Sequence, residues 1–144
     1  MAINLANNNS LANITALPSS ISGGGMTLIS EQTASSSATI SFTSGIDSTY
    51  DSYVFKFYNI HPATDNTQFA FQGDTGTNTN YNQTITSTTF RAFNREPDDD
   101  RGLGYVTGED QAQGTSFQKL TAGGTIGADA DQNACGELQI FNPS

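Results

Sequence analysis

An all-β fold, more closely a jelly-roll-like antiparallel β-sandwich behind an extended N-terminal arm, is what this 144-residue sequence predicts. Three observations predict it. Apolar and polar residues alternate with a period of two in several segments, most clearly over residues 53–60, which turns one face of each segment toward a core. Apolar residues make up 35% and charged residues only 13%, and much of the remainder is Ser, Thr, Asn, Gln and Gly. That composition suits pleated strands and turns better than a helical bundle or a charged disordered tail. Candidate strands recur with turn signals between them, as in sandwiches and jelly rolls. The length fits one domain.

Residues 1–25 read as an arm and a glycine hinge, and residues 26–144 as the sandwich domain. In the arm, Ile3, Leu5, Leu11, Ile14 and Leu17 are spaced among Asn and Ser and are followed by Pro18 and the run Gly23, Gly24, Gly25. So few apolar residues cannot form a core of their own, so they are predicted to anchor the chain on a neighbouring subunit or to cap the domain. Residues 26–30 begin the two-residue period, and residues 38–43 alternate with Ile40 and Phe42 on one face. Over residues 53–60, Tyr53, Phe55, Phe57 and Asn59 are predicted to face the core, and His61-Pro62 ends the strand because proline donates no ladder hydrogen bond.

Residues 68–72 alternate again and are predicted to pair back on that strand as a hairpin. Residues 84–93 read as a long Thr-rich strand, and the odd spacing of Phe90 and Phe93 predicts a bulge or bend. Residues 94–102, the most charged stretch, form a surface loop. Short strands follow over 103–107 and 115–120, and a last one over 136–141. The end at Asn142, Pro143 and Ser144, a turn signal straight after an apolar strand, reads as a point where a further segment follows. One buried layer of Ile40, Phe42, Phe55, Phe57, Phe69 and Phe71 between two sheets is the core this reading requires.

The formal net charge is −9, from 5 Lys+Arg against 14 Asp+Glu, and this argues against nucleic acid and anionic membranes as partners, because both demand a basic stripe. No run approaches membrane-spanning length, and residues 1–22 lack the basic start of an export signal. Cys135 is the only cysteine, so an intrachain disulfide is impossible, and the residue reads as a buried or half-buried strand position. His61 stands at a strand end with no nucleophile motif around it, which makes it structural. The acidic groups Asp98-Asp99-Asp100 and Asp129-Ala130-Asp131 carry the oxygens a hard cation takes, but neither has the spacing of an EF-hand loop, and both read as solvated loops. No cofactor, metal or catalytic set is therefore expected. A carbohydrate-binding module built from Tyr81 and the loops 73–80 and 94–102 is the alternative from a different functional class.

Residues 8–18, 32–37, 46–57 and 136–143 together resemble segments of uncharacterised structural proteins of marine and cyanobacterial tailed bacteriophages. The resemblance covers most of the chain and carries no catalytic signature. It implies a β-sandwich in the virion, and two places for it: a capsid decoration or cement protein bound to the shell through its arm and edge strands, or a tail or fibre component contacting the host. Other virion proteins are the implied partners. A homo-oligomer, a trimeric ring in the first instance, is expected because long uncovered strand edges demand cover.

Overall fold

The computed structural model describes residues 25–121 and 123–143. The predicted anchoring residues Ile3, Leu5, Leu11, Ile14 and Leu17 lie outside the described residues. The chain divides into two compact units, Met1–Gly45 and Ile46–Ser144.

In the first unit the described residues 25–45 contain no strand. The chain nevertheless doubles back. Ser36 takes a positive φ of 51°, and Gln32 Nε2 donates to the Ser41 backbone oxygen at 2.8 Å across the turn. Residues 26–30 and 38–43, predicted as strands, are not strands among the described residues, and Met26, Leu28, Ile40 and Phe42 are exposed.

Among the described residues of the second unit, the regular structure is all strand apart from one 3-10 turn, Thr107–Glu109. The strands are β1 (Ser52–Ile60), β2 (Ala70–Phe71), β3 (Phe90–Asn94), β4 (Arg101–Tyr105), β5 (Gln118–Lys119) and β6 (Ala134–Phe141). They form three antiparallel pairs: β1 with β6, β2 with β5 and β3 with β4. Two isolated bridges, Thr67 to Ile126 and Ile85 to Gly114, fall between them. Every pairing is concentric on the turn between Asn94 and Arg101. The unit is therefore one long antiparallel ribbon, paired end to end and interrupted by loops. The expected all-β class is present, in the form of these two-stranded pairs.

β1 is where the two-residue period acts most plainly. Tyr53, Phe55 and Phe57 turn inward while Val54, Lys56 and Tyr58 face solvent. β6 matches it in register, placing Tyr53 opposite Ile140 and Phe55 opposite Leu138. Phe57 lies across Gly136, where an added Cβ would stand 2.7 Å from the ring, so the glycine is what lets the ring cover the strand. The Phe57 ring also packs edge-on against Phe69, with centroids 4.9 Å apart.

Asn59 does not continue the inward row. Tyr58 and Asn59 together oppose the single residue Cys135, a β-bulge that puts Asn59 at a φ of 52° and turns Ile60 inward in its place. The Asn59 amide, displaced from the ladder, donates to the Cys135 Sγ at 3.2 Å. Cys135 is accordingly a strand residue, but an exposed one, and its sulfur serves the bulge rather than the core. Asparagine tolerates left-handed backbone and β-branched residues do not. Asn59→Val should cost about 1–2 kcal/mol and Asn59→Gly close to nothing, as read by chemical denaturation.

Two further expectations are corrected. Residues 70–71 pair with Gln118 and Lys119 rather than back onto β1, because the concentric order reserves β1 for β6. Phe90 and Phe93 involve no bulge: burial alternates without a break from Tyr81 to Phe93, and the β3–β4 register is continuous. Thr89, Arg91 and Phe93 face inward, and Phe90 faces out.

Candidate functional site

Strand direction creates two outward apolar faces in the second unit. On the β3–β4 hairpin, Phe90 stands opposite Tyr105 and Ala92 opposite Leu103, all on the outer face, where Phe90 is 65% and Leu103 72% exposed. The face ends at the Asn94–Arg101 pair, beyond which Arg95 and Arg101 make exposed ion pairs with Asp99 and Asp98. Pairs of this kind contribute little and exchange readily. On the β1–β6 pair the outer row holds Phe141 opposite Ser52, Val54 opposite Gln139 and Lys56 opposite Glu137, with Tyr58 beyond. Tyr58 is 70% and Phe141 69% exposed, and Lys56 Nζ lies 3.9 Å from Glu137 Oε2.

The inner side of the ribbon is knit by polar groups as much as by apolar ones. Among the described residues, the buried apolar side chains are Tyr53 and Ile126, and the buried polar ones are Thr89 and Gln118. Gln118 is a hub. Its Oε1 accepts from Ser87 Oγ at 2.6 Å and from Gln111 Nε2 at 3.3 Å, and its Nε2 donates to the Glu109 backbone oxygen at 3.2 Å. Gln72 Nε2 reaches the backbone oxygens of Gln83, Thr115 and Ser116. The Glu109 carboxylate takes hydrogen bonds from Gln68 Nε2 and the Gly123 amide and lies 3.8 Å from Lys119 Nζ. Arg91 stacks 4.3 Å above the Phe93 ring and donates to the Gly123 oxygen. These amides join levels of the ribbon that share no backbone ladder.

The residues singled out by sequence reasoning are placed apart from one another. His61 Nε2 hydrogen-bonds the Asp129 backbone oxygen at 2.8 Å, and Asp65 Oδ1 accepts from the Ala128 amide at 2.8 Å, so both fasten one loop to another. Asp98 and Asp99 are engaged by the hairpin arginines. No group of three or more His, Cys, Asp or Glu side chains suited to a metal ion occurs among the described residues. Tyr81 belongs to the inward row of the 81–93 alternation and is half-buried.

Loop 73–80 is organised by Asp74 instead. Its carboxylate accepts from the Tyr81 amide at 2.9 Å, the Thr75 amide at 3.0 Å and Gln83 Nε2 at 3.0 Å. Desolvation alone would raise the Asp74 pKa, but the hydrogen bonds from Tyr81, Thr75, Gln83 and Asn78 outweigh it and hold the carboxyl below its ordinary value of 3.8. A carboxyl depressed by folding stabilises the folded loop above its unfolded pKa and loses that contribution as pH falls through the folded one. Amide exchange at Thr75 and Tyr81 should thus be unchanged from pH 7 to about pH 5 and accelerate below pH 3.8, beyond the intrinsic pH dependence. In Asp74→Ala it should be about tenfold faster at neutral pH as well.

The glutamine hub and the outward faces are the features that sequence reading missed. Glutamines at 68, 72, 83, 111 and 118 within a strand-rich region were the hub's only signal, since turns rarely need that side chain. No family model, curated protein or solved structure matches the chain.

Proposed function

We propose that this chain is a non-enzymatic structural protein of a virion, in the first instance a capsid decoration or cement protein that works by covering joints between shell subunits. The observation that carries the proposal is the outward direction of Phe90, Leu103, Tyr105, Tyr58 and Phe141 on paired strands, in a unit where Tyr53 and Ile126 are the buried apolar side chains among the described residues. A ribbon that turns a second row of large apolar side chains outward is a component awaiting neighbours, because solvent-exposed patches of this kind mark association sites. The segments resembling tailed-phage structural proteins support other virion proteins as those neighbours. Many modest contacts acting together give a shell protein its hold without any single strong interface.

The sandwich reading belongs to the same proposal. Concentric antiparallel pairing at four levels is the connectivity of a jelly roll when the ribbon folds so that alternate levels join opposite sheets. The levels here are β1 with β6, the 67–71 segment with 118–126, the 85–87 segment with 111–114, and β3 with β4.

Binding to purified particles tests the function. The arm residues Ile3, Leu5, Leu11, Ile14 and Leu17 are the proposed anchor, so deleting residues 2–24 should lower particle occupancy more than tenfold, that is by about 1.4 kcal/mol or more of binding, while the 46–144 unit keeps its fold. Unchanged occupancy contradicts the anchor. A map of the particle with density for this chain on the tail rather than the shell would favour the fibre alternative.

A further inference from the structure

The inner side of the β3–β4 hairpin is covered at one end and open at the other. Phe93 lies opposite Gly102, and its ring covers that glycine, where an added Cβ would meet it at 2.8 Å. Arg91 lies opposite Gly104, but nothing stands within 4 Å of the place a Cβ on Gly104 would take. The Arg91 side chain instead covers the Phe93 ring and reaches the Gly123 backbone oxygen through Nη1. A cleft of about 330 Å³ results, whose lining includes Arg91, Phe93, Gly104, Val106, Thr107 and Gly108. That volume is at the low end for small-ligand sites.

The charge in this cleft is unmatched. The chain has 5 Lys and Arg against 14 Asp and Glu, and Lys56, Arg95, Arg101 and Lys119 each pair with a carboxylate. Among the described residues, Arg91 is the one basic side chain without such a partner. Glu109 hydrogen-bonds the Gly123 amide nearby, but its carboxylate is engaged by Gln68 and Lys119. With Nη1 on Gly123, the Nε and Nη2 edge of the guanidinium has no hydrogen-bond partner among the described residues.

That edge offers two parallel N–H groups, the match for the two oxygens of a carboxylate, and a half-buried pair is screened less than one at the surface. A single cation in a chain at −9 favours a singly charged anion over a phosphate dianion. The remaining walls are the Phe93 ring, Val106 and the bare backbone of Gly104, which suit an apolar stem.

We infer that this cleft binds a carboxylate carried on a small apolar group, with the carboxylate on Arg91 and the apolar part over Gly104. A free organic acid and the terminal carboxylate of a neighbouring chain present the same chemistry. The inference does not depend on the virion reading.

Titration of the full chain with phenylacetate, followed by amide chemical shifts and calorimetry, tests it. Saturable binding with a Kd of about 1 mM or below is expected, with the largest shifts at Arg91, Gly104 and Val106. Neutral phenylacetamide should bind at least about tenfold more weakly. Arg91→Lys, which keeps the charge and loses the fork, should weaken phenylacetate at least about fivefold. Arg91 also holds Gly123, so a second variant approaches the cleft from its floor: Gly104→Val should abolish binding while the chain melts as the unmodified one does.

A short peptide ending in phenylalanine with a free carboxylate, set against the same peptide amidated, separates the two sources. Binding about tenfold tighter than phenylacetate assigns the cleft to a chain end, and equal binding assigns it to a small organic acid. No saturable binding of either probe overturns the inference, and so does binding that phenylacetamide matches or that Gly104→Val leaves unchanged.

Discussion

Tyr53→Ala should destabilise the second unit by about 3–5 kcal/mol, the largest loss expected from any single truncation in this chain. Tyr53 is 5% exposed and heads the inward row of β1, opposite Ile140, with its ring edge-on to Tyr50 at 5.7 Å. Its hydroxyl donates to the Asp47 backbone oxygen at 2.9 Å and accepts from the Asp47 amide at 3.1 Å, so the side chain fixes the approach to the strand as well as its packing. Tyr53→Phe isolates the polar part and should cost about 1 kcal/mol. Urea denaturation of the two variants separates the contributions. A loss under about 1 kcal/mol for Tyr53→Ala would mean that β1 and β6 are not packed as described.

Gln118→Ala should cost about 2–4 kcal/mol, more than the side chain's apolar area accounts for. The reason is what it leaves behind. Ser87 Oγ loses its acceptor at 2.6 Å, Gln111 Nε2 loses one of two, and the Glu109 backbone oxygen loses a donor, all beneath a side chain that is itself buried. Buried polar groups stripped of partners bear the full desolvation penalty. Ser87→Ala, which removes one spoke and leaves the hub, should cost nearer 1 kcal/mol. Equal losses for the two variants would show that Gln118 is not the point where the levels of the ribbon are joined.

The sequence made some of this legible and concealed the rest for identifiable reasons. The inward row Tyr53, Phe55, Phe57 follows from alternation, and so does the unbroken 81–93 row, because side-chain direction in extended backbone is a local property. Asn59 was read as core because a bulge resets the parity, and a bulge depends on the partner strand supplying one residue against two. The odd spacing of Phe90 and Phe93 was read as a bulge or bend, yet the row to which Phe90 belongs is outward and Arg91 takes the inward place over Phe93. Pairing is non-local: nothing in residues 68–72 specifies Gln118 and Lys119 as their neighbours. Ile40 and Phe42 alternate as well as β1 does, yet neither lies in a strand among the described residues, since alternation expresses a preference and does not by itself make a strand. Cys135 was expected inside, and the displaced Asn59 amide keeps it at the bulge on the surface.

For the candidate site, hydrophobicity was visible but its direction was not. Leu103 and Tyr105 alternate with Gly102 and Gly104, so the strand has bulk on one side only, and the sequence does not say whether that side is inner or outer. Phe93 settles it from the opposite strand: its ring lies over Gly102, where an added Cβ would meet it at 2.8 Å, and this fills the inner side and sends Leu103 out.

The most direct test of the claim that these faces are contact surfaces is hydroxyl-radical footprinting of Phe90, Leu103, Tyr58 and Phe141 in the dilute free chain and in the assembled particle. All four should be labelled strongly when free and protected at least about fivefold when assembled, with Tyr53 protected in both states. Equal labelling of the four residues in the two states would contradict the account.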